Sequence, residues 1–254
     1  ISLETVANTP PQRQHTSLYT MVNPEDVTFV SFGTPNLQDS LKKMQMRAEE
    51  LGMAHATYTP ESMQGISSAT TFQTFPELCI GQHKRGCKHG FWRWKATIID
   101  YEMRRSKTPW LLYSDCNCKK YPYLLDAIGA ICNIEIPANQ NIIISTDRFT
   151  LKETVKTDLL REDDPVDELA FHSNLILIRV CDEMRLLVQE WLRMSLSSDI
   201  LPNLKKEPIL WHTHDQALLS LLLVRGKHVR RPFFTESWKY LEYHPRVTCS
   251  YFHA

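Results

Sequence analysis

The sequence has no surplus of charge of either sign: 29 Lys+Arg stand against 29 Asp+Glu, and the formal net charge is zero. A nucleic-acid binder relying on general electrostatics needs a basic surface that displaces counterions, so that class is disfavoured. Long apolar runs are missing too. The longest, Ala217 to Val224, is interrupted by a serine and is far shorter than the ~20 residues that cross a bilayer, so no transmembrane segment is expected. The seven cysteines, Cys79, Cys87, Cys116, Cys118, Cys132, Cys181 and Cys249, contain no pair of CxxC motifs, which does not suit a zinc ribbon. Their odd number leaves at least one thiol free. Cys116 and Cys118 are too close for a bond to be favoured, whereas Cys79 and Cys87 could bridge. There is also no Asn-x-Ser/Thr sequon with a non-proline centre. These absences favour a reducing compartment and a cytoplasmic or otherwise soluble protein, with a lumenal Golgi fragment as the alternative. The chain begins at Ile1 rather than Met, as expected of a trimmed or processed chain.

Internal repeats, low-complexity tracts and a recognisable linker are likewise missing, which favours one domain. What is present is ample core material: 43% of the 254 residues are hydrophobic, enough to exclude a wholly disordered chain. Residues 1–24 are polar and aperiodic and are expected to form an irregular arm, with a single domain over 25–254. Val27 to Phe32 is a β-rich run stopped by Gly33 and Pro35. Asn36 can cap a helix carrying Leu37, Leu41, Met44 and Ala48 at helical spacing up to Gly52. A short strand is expected at Ala54–Tyr58. Strand, helix and strand within about 30 residues open an α/β fold with a central, mixed but mostly parallel sheet flanked by helices.

Further along, a helix is predicted from about Trp92 to Arg105, and a short apolar strand at Trp110–Tyr113. The strand breaks into polar Ser114-Asp115-Cys116-Asn117, and the carboxyl end of a strand is where open α/β sheets place their ligands. Ile142–Ile144 and Leu175–Ile178 read as strands, the second preceded by polar His172-Ser173-Asn174. Met184, Leu187, Val188, Trp191 and Leu192 share one face of an amphipathic helix. His214-Asp215-Gln216 opens a leucine-rich helix that ends near Gly226.

The polar clusters can be read in two ways. Asp115 and Asn117 suit a turn that ends a strand, or a hard-oxygen site for a divalent cation. Lys95 is a solvated helix lysine, or a cation that meets a diphosphate or braces the acidic motif. Trp92 and Trp94 cannot share a helix face; Trp94 suits core packing, and one of the two can line a cleft. Asp215 can complement a helix dipole or act as a carboxylate in a site. Asp163, Asp164 and Glu168 are alternative carboxylates in an acidic loop. His212 and His214 are badly spaced for joint metal binding.

Taken in order, Gly90-Phe91-Trp92-Arg93-Trp94-Lys95, Leu111-Leu112-Tyr113-Ser114-Asp115-Cys116-Asn117, Ser173-Asn174, Trp191-Leu192 and His214-Asp215-Gln216 resemble a group of nucleotide-sugar glycosyltransferases with the GT-A fold. Ser31-Phe32-Gly33 matches as well, and the resemblance spans roughly residues 27–225. It implies a transferase that moves a sugar from a nucleotide-sugar donor, uridine-linked in many members, to a glycan or another small hydroxyl acceptor. It implies that Phe32, Gly33 and Thr34 contact the nucleoside, and that Lys95 and Asp115 meet the diphosphate. Asn174, Asp215 and Gln216 would face the sugar, with Asp215 as the catalytic carboxylate. Asp115, Asn117 and His253 would hold Mn²⁺ or Mg²⁺. Asn117 departs from a full Asp-x-Asp, because an amide stands where the pattern has a second carboxylate. That keeps open a non-catalytic nucleotide- or sugar-binding protein. A phosphoryl-chemistry enzyme on a similar sheet is a further alternative.

Overall fold

The computed structural model describes residues 19–67, 69–73, 90–132, 134–197 and 214–226. Seven strands are described: β1 (Tyr19–Val22), β2 (Val27–Phe32), β3 (Ala54–Tyr58), β4 (Trp110–Ser114), β5 (Ile134–Pro137), β6 (Ile142–Thr150) and β7 (Leu169–Arg179). The helices are α1 (Gln38–Glu50), α2 (Trp94–Arg105), α3 (Tyr123–Ile131), α4 (Leu151–Thr154), α5 (Asp182–Leu196) and α6 (His214–Arg225).

Five strands form the central sheet in the order β3-β2-β4-β7-β6. β2 pairs in parallel with both β3 and β4, and β7 runs antiparallel to β4 and β6. The expected mixed α/β sheet flanked by helices is therefore present. β1 and β5 make a separate antiparallel ribbon. Part of the segment expected to be an irregular arm is thus a strand, because Val22 packs into the core and Met21 and Val22 pair with Glu135 and Ile134. Residues 1–18 lie outside the described residues.

The central strands β2 and β4 are buried along their whole length, as strands covered on both faces must be. Period-2 alternation sorts their side chains. Val27, Phe29, Trp110 and Leu112 face Leu41, Met44 and Ala48 of α1 and Leu124, Ala127 and Ile128 of α3. Val30, Phe32, Leu111 and Tyr113 face Ile98 and Met103 of α2, Val188 and Trp191 of α5, and Leu218 of α6. Each large apolar side chain so buried contributes roughly 1.5–3 kcal/mol. Asn36 does not cap α1; it sits inside a 3₁₀ turn at Pro35–Leu37 and accepts a hydrogen bond from the Thr34 hydroxyl at 2.6 Å. No helix among the described residues is long and apolar enough to cross a membrane. Cys116, Cys118, Cys132 and Cys181 carry free thiols; Cys79, Cys87 and Cys249 lie outside the described residues.

Candidate active site

Two parallel strands, β2 and β4, end side by side, and the Ser31 hydroxyl donates to the Ser114 carbonyl at 2.7 Å to tie the ends together. Gly33 follows β2 at a close approach: a Cβ there would lie 3.1 Å from both Cβ and Cδ2 of Leu41. A side chain at Gly33 would require Leu41 to give by a few tenths of an ångström. A cleft opens over these strand ends, and its walls include Phe32, Thr34, Trp92, Trp94, Asp115 and Asn117. The Phe32 ring stacks on Trp94 at 4.0 Å between centroids and lies 6.0 Å from Phe72. One wall is therefore a continuous aromatic layer.

Beneath the cleft lies a charged cluster. Lys95, in the first turn of α2, is only 3% exposed. Its ammonium lies 2.8 Å from Asp215 Oδ2 and 3.3 Å from Asp115 Oδ1. It also donates to the carbonyl and the hydroxyl of Ser173, at 2.9 and 3.0 Å. The Ser173 hydroxyl donates in turn to Asp215 Oδ2 at 2.6 Å. Tyr113 closes the group, its hydroxyl donating to Asp115 Oδ1 at 2.7 Å.

Local sequence explains how these residues meet. Tyr113 and Asp115 are two apart along an extended segment and so share a face. Ser173 is aimed by an irregularity in β7. The β6–β7 register jumps from Ile144 opposite Ile176 to Ser145 opposite His172, so Ser173 to Leu175 bulge out. Bulges turn side chains away from the regular pleat. Asp215 is fixed through its backbone, because the Trp191 indole donates to its carbonyl at 3.0 Å. The Trp191-Leu192 pair within α5 and the His-Asp-Gln at the start of α6 thus meet in one contact.

Backbone strain gathers at the same place. Among the described residues, the non-glycine residues with positive φ are Phe91, Trp92 and His214, at 53°, 57° and 37°. Gly90 precedes them at 54°, and a Cβ on it would run into the Thr71 carbonyl. Helix α2 consequently begins at Trp94 rather than Trp92, and Trp92 turns to the cleft instead of continuing the helix. The Phe91 and His214 rings meet edge to face at 4.1 Å. Each left-handed non-glycine residue costs of order 1–3 kcal/mol and persists where its surroundings over-determine it.

The electrostatics follow from burial and proximity. Burial pulls Lys95 toward the neutral amine, but Asp115 and Asp215 outweigh it and hold its pKa above the ordinary lysine value. Asp215 is pushed upward, by burial first, against the pull of Lys95 and Ser173. Burial, and then the Asp115 charge, hold Tyr113 well above its ordinary value, so it remains a donor. The Cys116 thiol is pushed up to about 12 by burial and then by Asp115, which removes it as a thiolate ligand or nucleophile.

Asp115 is the carboxylate on the described cleft wall, with a side chain 36% exposed, whereas that of Asp215 is 7% exposed and covered. Phe32, Thr34 and Asn117 also reach the cleft. Asn174 sits beside Asp115: its backbone carbonyl accepts from the Asp115 amide at 2.8 Å, and its side chain donates to the Tyr123 hydroxyl at 3.2 Å. Gln216 follows Asp215 in the first turn of α6, and its carbonyl accepts from Ser220. Asp164 lies elsewhere, in an ion pair with Arg225. His253 and His212 lie outside the described residues. Tyr113 and Ser173 are the site residues that sequence reasoning did not assign; for Tyr113 the signal was its two-residue offset from Asp115 on a strand.

Among the described residues, no group of three His, Cys, Asp or Glu side chains is arranged to hold a metal ion. A hard divalent cation needs only one or two carboxylates when substrate phosphates fill its remaining positions. Asp115 with the Asn117 amide therefore suits a cation that arrives with a diphosphate, and does not suit one held by the described side chains alone.

Neither a protein-family model nor a curated protein matches the chain. Among solved structures, it is similar to a glycosyltransferase involved in the glycosylation of the major capsid of PBCV-1, at 10% identity and a TM-score of 0.35. The match covers 66% of each chain, so this chain spans just under two thirds of that protein's length. A likeness of that size does not establish a shared activity.

Proposed function

We propose that the protein is a metal-dependent glycosyltransferase that moves a sugar from a nucleotide-sugar donor, a uridine diphosphate sugar, to a hydroxyl of a glycan or small acceptor. The observation that carries this reading is the meeting of Lys95, Asp115 and Asp215 beneath an aromatic-walled cleft at the ends of parallel strands. Ligands of open α/β sheets bind at such ends. In this reading Phe32, Gly33 and Thr34 contact the nucleoside. Asp115, with Asn117 and with His253 of the C-terminal segment, holds Mn²⁺ or Mg²⁺ against the diphosphate. When bound, the cation neutralises negative charge on the leaving diphosphate as a Lewis acid. Lys95 keeps its proton and holds Asp115 and Asp215 on either side of it. Asn174, Asp215 and Gln216 form the sugar side, with Asp215 as the carboxylate that serves the acceptor hydroxyl.

The charge count supports an order of binding. Two carboxylates and one ammonium leave a net charge of about −1 by simple Coulomb counting, which attracts a divalent cation and repels a bare diphosphate. Nucleotide and cation therefore bind together. The test is a panel of nucleotide sugars with Mn²⁺, read by the rise in melting temperature and then by release of nucleoside diphosphate. Asp215→Asn lowers turnover more than donor affinity if the carboxylate acts as a base; a change in affinity alone makes it a binding residue.

One observation favours a second reading. Asp215 is covered, and Asp115 is joined on the cleft wall by a neutral amide rather than a second carboxylate. A protein that binds the nucleotide sugar without turnover has the same cluster. Binding with Mn²⁺ but no diphosphate release, with any acceptor supplied, selects it.

A further inference from the structure

Tyr113 is fully buried in the middle of the sheet. Its ring packs with the core, and a phenylalanine would fill the same space without bringing a hydroxyl out of water. Burying a hydroxyl is unfavourable unless it is hydrogen-bonded, and this one donates to Asp115 Oδ1 at 2.7 Å. The Lys95 ammonium approaches the same oxygen at 3.3 Å and lies 5.3 Å from the centre of the Tyr113 ring. Two donors thus converge on one side of a carboxylate that is otherwise on the cleft wall. The terminal torsion of an aspartate is broad and weakly held by itself, so an exposed Asp115 needs such anchors to keep one orientation.

We propose that Tyr113 is a positioning residue for Asp115: with Lys95 it holds Oδ1 inward, so that Oδ2 is the oxygen offered to a cation in the cleft. The inference rests on the cation–diphosphate reading above and names the residue that prepares its ligand. Outer partners of a ligating carboxylate typically change metal affinity by roughly 10–100-fold when removed.

The test is a double-mutant cycle with Tyr113→Phe, Asp115→Asn and the pair together, probed with Mn²⁺ at saturating uridine diphosphate. Bound Mn²⁺ is read by electron paramagnetic resonance, and thermal unfolding is followed in parallel. Tyr113→Phe raises half-saturating Mn²⁺ about tenfold or more, shifts unfolding little, and adds nothing once Asp115 is Asn. A wild-type Mn²⁺ affinity in Tyr113→Phe, or an equal loss in both backgrounds, overturns the proposal while leaving the functional reading intact. Failure of the wild-type protein to take up Mn²⁺ with uridine diphosphate overturns that reading, and the role of Tyr113 with it.

Discussion

Helix α6 carries a buried acid–base contact at each end, and the two are built differently. At its last residue, Arg225 grips Asp164 with two bonds, Nε to Oδ1 at 2.8 Å and Nη2 to Oδ2 at 2.6 Å. The same guanidinium donates to the Leu159 carbonyl at 2.7 Å, and Asp164 Oδ2 also accepts from the Arg161 amide. One acid meets one base and is tied further to the backbone. At the first turn, about 15 Å away along the helix axis, one ammonium is shared by Asp115 and Asp215. The C-terminal contact is a closed lock: the Arg225 hydrogen bonds draw the Asp164 carboxyl below its ordinary pKa. The N-terminal contact is left short of positive charge: burial pushes Asp215 up, and one of its two acids reaches a cleft. An arginine and an aspartate paired one to one make a closed clasp, whereas a lysine shared by two aspartates leaves negative charge unmatched.

The largest expected effect comes from removing the shared cation. Lys95→Met leaves two acids without their partner and lowers stability by roughly 3–5 kcal/mol, as breaking a buried pair does, and it also abolishes nucleotide binding. Adding Asp215→Leu recovers much of the stability but none of the binding. Urea unfolding and nucleotide titration of the single and double variants check both halves.

Arg225→Met tests the other end. It strands Asp164, whose side chain is 3% exposed, and lowers stability by a similar ~3–5 kcal/mol. Adding Asp164→Leu restores most of that, and turnover per folded molecule stays near wild type in both variants. A loss of turnover that outlasts the rescue erases the distinction between lock and site.

Asp115→Ala takes the acceptor from the buried Tyr113 hydroxyl and lowers stability by roughly 1–3 kcal/mol, less than Lys95→Met does, whereas cation-stimulated turnover falls on the order of 100-fold or more. Full activity with the cation still required removes Asp115 from the metal's surroundings.

The smallest effect concerns pH. Asp164 has a lower pKa folded than unfolded, so its contribution to stability is complete above the unfolded carboxylate range and is lost as pH falls through the folded value. The stability gap between wild type and Asp164→Asn is therefore widest near neutrality and closes on acidification. A gap that widens toward acid contradicts the lock.

The contrast between the two ends also marks what could be read from sequence. The β-rich run Val27–Phe32 and the helical spacing of Leu41, Met44 and Ala48 announce the opening of the sheet, because local composition and periodicity are enough to assign them. Ser114-Asp115 shows where a strand ends. The residues expected to meet, Lys95, Asp115 and Asp215, do meet. The acidic loop was ambiguous because the partner of Asp164 lies 61 positions away, and nothing local distinguishes a clasp from a solvated charge run. Ser173 was legible as a polar residue but was placed before a strand. It lies inside β7, and a register jump against β6 accompanies its turn toward Lys95. The left-handed turn at Gly90–Trp92 gave only its glycine as a signal, since the close approach of the Thr71 carbonyl that excludes a side chain at Gly90 is a tertiary contact.

The most direct measurement is calorimetric titration of uridine diphosphate into the wild-type protein and Asp115→Ala, each with and without Mn²⁺. Binding to wild type that requires the cation and is lost in Asp115→Ala is the expected result. Equal affinity with and without Mn²⁺, or undiminished binding in Asp115→Ala, contradicts a site organised around a cation at that carboxylate.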